Sequence, residues 1–169
     1  MKWVEPGAID PGPVAELARA RALVEAGDHS AAIPLFETAL KSDLPAQLHG
    51  EVATNLAAAL CTVAQSGDLP HDMALAQLDR ARVLLSEALL HYDPMHAPLG
   101  WASARANLAL VYLSRHGLTE SHNDILQAHL SLDGTEEALH RAGDVELLGW
   151  VKAVRDHLLD LRDRRSRRR

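Results

Sequence analysis

Apolar side chains recur along this chain at intervals of three and four residues, in blocks separated by Gly, Pro and Asp, which is the spacing of amphipathic helices. The first block, about 14–26, carries Val14, Leu17, Ala18, Leu23 and Val24 behind Pro13, a residue suited to a first helical position. Gly27 and Asp28 then offer a left-handed C-cap and an N-cap acceptor. The second block, about 30–42, has a broad apolar face that includes Ala32, Ile33, Phe36, Ala39 and Leu40. Pro34 sits in its first turns, where a missing backbone donor costs least. Beyond Asp43-Leu44-Pro45 a third helix is predicted over about 46–65, and beyond the 66–70 loop a fourth over about 71–91. Asp93-Pro94 and Pro98 precede a fifth, 99–116, which Gly117 closes. A sixth starts near Glu120 and is interrupted at Gly134, with Thr135 opening a further turn or two toward Arg141. The last, about 145–163, carries Val145, Leu148, Val151, Val154, Leu158 and Leu161. No alternating Val/Ile/Thr-rich run of strand length occurs, so the predicted class is all-α.

Composition sharpens that pattern. Hydrophobic residues make up 47% of the 169 positions but aromatic ones only 4%, so the core must be built from Ala, Leu and Val, and small Ala side chains let helices approach closely. A chain of this length fits one domain. The expected division is a Pro/Gly-rich extended lead over 1–12, in which Trp3 packs back on the body, a helical domain over 13–163 and a basic disordered tail over 164–169.

Two segments are near copies, Asn55-Leu56-Ala57-Ala58-Ala59-Leu60 and Asn107-Leu108-Ala109-Leu110-Val111-Tyr112, and each leads into a Gly-containing break and another amphipathic run. A repeated helix pair that cannot bury its own apolar face implies stacked neighbours. The run 27–40 resembles the second half of a tetratricopeptide repeat, with Gly27, Ala32, Phe36 and Ala39 at the matching intervals, and Ala81 and Ala88 repeat the seven-residue Ala spacing. The two Asn-Leu-Ala segments resemble the first helix of later repeats, although Asn55 and Asn107 lie 52 residues apart where the family's unit is about 34. The likeness covers about 12–141. It implies a degenerate bacterial form of the family: a right-handed α-solenoid of about three helix pairs plus a C-terminal capping helix, with a groove lined by the first helix of each pair.

In that register Leu17, Arg21, Val24, Thr54, Asn55, Ala58, Cys61, Ala106, Asn107, Leu110 and Leu113 line the groove. The surface is apolar with one cation, suited to an apolar helix or an extended peptide, while Arg21, Glu25, Glu51 and Arg105 are expected at its rim. The closing helix or a second copy of the chain, as a homodimer, competes for the same surface. Asn55 and Asn107 are expected to hydrogen-bond between neighbouring helices. The carboxylate-gripping subset of the family is not matched, since too few cations stand at the relevant positions.

The formal charge is −6, and removing the five arginines of the last six residues leaves −11 on the rest, which disfavours nucleic acid or an anionic membrane as a partner of the body. Arg164, Arg165, Arg167, Arg168 and Arg169 support at most non-specific phosphate contact, with no interleaved aromatic for base stacking. Fourteen arginines against three lysines suggest a GC-rich bacterial source. The ten histidines lack i, i+4 or HExxH spacing and read as scattered and solvated, so no metal is expected. Cys61, the single cysteine, lies on an Ala/Leu-rich helix and reads as a packed thiol, and it fits a reducing compartment. No nucleophile elbow, phosphate-cradling loop or paired carboxylates occur, so neither an enzyme nor a cofactor is expected. With no apolar run near the ~20 residues a bilayer needs, a cytoplasmic protein is expected. The expected role is a protein- or peptide-binding module acting as adaptor, assembly factor or regulator. The alternative is a ligand-sensing regulator or nucleic-acid accessory protein that uses the basic tail.

Overall fold

The computed structural model describes residues 12–167. The lead segment with Trp3 lies outside them except for Gly12, as do Arg168 and Arg169 of the tail. Among the described residues the regular structure is entirely helical: α1 (Gly12–Glu25), α2 (His29–Leu40), α3 (Ala46–Gln65), α4 (His71–Ala88) with a short 3-10 turn at Leu89–His91, α5 (Pro98–Thr119), α6 (His122–Ser131), α7 (Thr135–Ala142) and α8 (Val145–Ser166). No helix of the described residues is long and apolar enough to cross a membrane.

The punctuation works as its chemistry dictates. Gly27 adopts a left-handed backbone, φ 82°, and Asp28 caps α2 by accepting from Ala31 N at 3.1 Å. Gly117 corrects the expected end of the fifth helix. It lies inside α5, which continues to Thr119, and Glu120 takes the left-handed cap instead, φ 54°. Thr119 stabilises this extra turn with its hydroxyl oxygen 3.0 Å from Arg115 O and 2.9 Å from Asp124 Oδ2, the single proton being shared between the two acceptors. At the other end of the chain α8 runs to Ser166, so Arg164 and Arg165 belong to its last turn.

Each helix from α1 to α5 packs on its successor; in addition α3 packs on α5, α5 on α7, and α8 on α6 and α7. Close approach is made possible by alanine. Ala32, Ala39, Ala81 and Ala88 are fully buried, and Phe36 fills the space between the first two at 1% exposure. A large core joins α1 to α5, and a second joins the α5 alanines Ala102, Ala106 and Ala109 to Leu139, Val151 and Leu158 of α7 and α8. Trp101 and Tyr112 pack against both and tie the halves together.

Two ion pairs span helices two apart in sequence, and others join neighbours. Arg21 of α1 pairs with Glu51 of α3, and Arg80 of α4 with Glu37 of α2 at 2.6 Å. On α5, Arg115 pairs with Asp79 of α4 and, at 3.3 Å, with buried Asp124 of α6. Arg105 was expected at the groove rim. It instead reaches α6, donating to Leu130 O at 2.5 Å with its guanidinium 5.1 Å from the Trp101 ring centre, because this carbonyl, which also accepts from Asp133 N, and the indole face together hold the guanidinium away from the rim.

Candidate functional site

Cavities open along α1, α3, α5 and α8. Between α1 and α3 a cavity of about 210 Å³ is lined by Arg21, Val24, Glu25, Asn55 and Ala58. Between the N-terminal halves of α3 and α5 lies a more polar one of about 500 Å³, with Glu51, Thr54, Asn55, Tyr92 and Ser103 on its walls. Its floor is set by Tyr92, wedged between two glycines. A Cβ on Gly100 would stand 2.6 Å from the ring and one on Gly50 3.1 Å. Burial pushes the Tyr92 phenol above its ordinary pKa, outweighing the hydrogen bond with Thr54.

Two further cavities lie between α5 and α8. One, about 390 Å³, has Ser103, Ala106 and Asn107 facing Asp144, Glu146 and Leu147. The other, about 590 Å³, has Leu110, Leu113 and Ser114 facing Ala153, Val154 and Leu161. Trp150 lines both and joins them end to end. The early part of α5 faces the early part of α8 and the late part faces the late part, so the two helices run parallel as the walls of one channel. Trp150 is 37% exposed, a large indole that this channel leaves in contact with water.

The residues expected at the groove divide in two. Arg21, Val24, Asn55, Ala58, Asn107, Leu110 and Leu113 line cavities, and so do Thr54 and Ala106 although they are nearly buried. Leu17 and Cys61 are corrections. Both are core residues at 4% and 2% exposure, because each is packed into the large core that joins α1 to α5. The Cys61 Sγ lies 3.6 Å from Ser114 Oγ, and burial holds the thiol above its ordinary pKa despite that contact. The Asn side chains also differ from expectation. Among the described residues neither Asn55 nor Asn107 hydrogen-bonds to a neighbouring helix, and both amides face cavities instead.

The closing helix α8 forms the wall opposite α5 in both hollows. Trp150 and Glu146 of α8 stand outside its apolar stripe, whereas Val154 belongs to that stripe, which by itself points to core packing and not to a site. The available signal was Trp150, a large aromatic off the stripe in a chain with few aromatics. Among the described residues no group of three or more His, Cys, Asp or Glu is placed to hold a metal ion. His49 and His91 stack at 5.2 Å between ring centres, tilted by 52°. What the arrangement offers chemically is apolar surface, free amides and carboxylates in a row of connected hollows.

No family model matches the chain, and neither a curated protein nor a solved structure gives a significant match.

Proposed function

We propose that this chain is a tetratricopeptide-like, right-handed α-solenoid that binds a segment of another protein along the face made by α1, α3, α5 and α8, serving as an adaptor, assembly factor or regulator. Three features support the architecture: helix-on-successor packing, the additional α3–α5 contact, and buried Ala and Phe at the family's intervals. The observation that carries the binding role is the channel in which Leu110 and Leu113 face Val154 beside a partly exposed Trp150. An unfilled apolar trough of this kind gains free energy when an apolar partner displaces its water.

A displayed library of random peptides tests the reading. Wild-type protein should enrich peptides that Leu110→Arg protein does not retain, with both proteins melting within a few degrees of each other. Leu110 is partly exposed, so the arginine is tolerated by the fold while it blocks the trough. Enrichment that is equal on both proteins contradicts the proposal.

A further inference from the structure

The channel between α5 and α8 also carries information about its occupant. Resting on the peptide-binding reading above, we propose that it takes an amphipathic α-helix of a partner protein, about four turns long, with Lys or Arg side chains at the end that meets Asp144 and Glu146.

Length comes first. The α5 wall extends from Ser103 to Gly117, and at 1.5 Å per residue this is about 21 Å, or four helical turns.

The state of the occupant's backbone follows from the walls. Both walls are helices, whose N–H and C=O groups are already paired, so neither offers an edge to an extended chain. Three of the polar side chains in the larger cavity are also engaged, and His157, on the late part of α8, is exposed. Gln65 donates to Ser114 Oγ at 2.6 Å, Ser114 donates to Leu110 O at 2.8 Å, and His116 Nδ1 is 2.9 Å from Ser121 O. An extended peptide would bury most of its backbone groups there without partners, whereas a helix satisfies its own. Leu110, Leu113 and Val154 then receive side chains projecting at intervals of three and four.

Charge sets the polarity. The residues lining the cavities along this face include the carboxylates Glu25, Glu51, Asp144 and Glu146 and one cation, Arg21, which is paired to Glu51. In the channel itself Asp144 caps α8 through one oxygen, accepting from Leu147 N at 2.8 Å. Glu146 is exposed and forms no ion pair among the described residues. Beside them Asn107 presents its amide. An occupant with Lys or Arg at this end gains charge-assisted hydrogen bonds, and an acidic one meets like charge.

The test uses the full chain and the peptides whose enrichment disappears on Leu110→Arg. These should carry apolar residues at i, i+3 or i+4, and i+7 with Lys or Arg at one end. Synthesised, they should gain helical circular dichroism on binding, and their Kd should rise tenfold or more on Glu146→Lys and severalfold on Glu146→Gln. The glutamine variant removes only the charge and keeps the start of α8 intact. Leu110-dependent peptides that are proline-rich, acidic or non-helical when bound, or an unchanged Kd on both Glu146 variants, overturn this inference and leave peptide binding standing. Absence of any Leu110-dependent peptide overturns both.

Discussion

Single residues decide how closely these helices approach. Gly100 is the sharpest case, because a methyl group there meets the Tyr92 ring at 2.6 Å. Gly100→Ala gains about 1 kcal/mol of helix propensity, yet overpacking costs about 1–3 kcal/mol, so a net loss measured by urea unfolding is expected. Phe36→Ala should cost about 3–5 kcal/mol by the same assay, since the ring is buried between two alanines that cannot move in to replace it. Burial also ties stability to alkaline pH. The folded-state pKa of Cys61 is raised, so its contribution is complete below the unfolded thiol pKa and is lost as pH rises through the folded value. Unfolding free energy should therefore decline above about pH 8.5, and Cys61→Ala should flatten part of that decline. The thiol–Ser114 contact had no trace in the sequence, because the two residues lie 53 positions apart on neighbouring helices.

At the scale of elements, Gly, Pro and Asp made most boundaries legible. The helices expected at 46–65 and 145–163 appear as Ala46–Gln65 and Val145–Ser166, and Gly134 does divide α6 from α7. Gly117 misled because a glycine near a helix end can either stop the helix or ride within its last turn, and the choice fell to Thr119 and Asp124, an interaction invisible to local spacing. Asp144 predicts more. Its carboxylate caps α8, so Asp144→Ala should cost about 1 kcal/mol of stability, read as a lower urea midpoint. The place of α8 was half legible: its apolar stripe foretold packing against the last helices, but nothing in that stripe foretold that two of its members, Val154 and Leu161, would also wall a channel with α5.

Across the whole molecule, the two cores are held together by Trp101, Tyr112 and the Asp79–Arg115–Asp124 cluster that links α4, α5 and α6. Asp124 is 4% exposed, and Arg115→Met would leave its carboxylate buried with Thr119 alone as a side-chain donor. Since Arg115 keeps partial contact with solvent, we expect a loss of about 2–3 kcal/mol, below the full cost of orphaning a buried charge. The candidate site was legible on its α5 side, where the repeated Asn-Leu-Ala segment marked Asn107 and Leu110. Its acidity was not legible, because Asp144 and Glu146 reach the site only through the folding-back of α8.

The central claim is that the α5–α8 channel is the docking surface, and amide chemical-shift mapping tests it directly. Titrating labelled protein with a Leu110-dependent peptide should perturb residues within 103–117 and 144–161, with the Trp150 indole N–H among the largest shifts. Shifts concentrated on α2 and α4, with the Trp150 indole unmoved, would contradict the account.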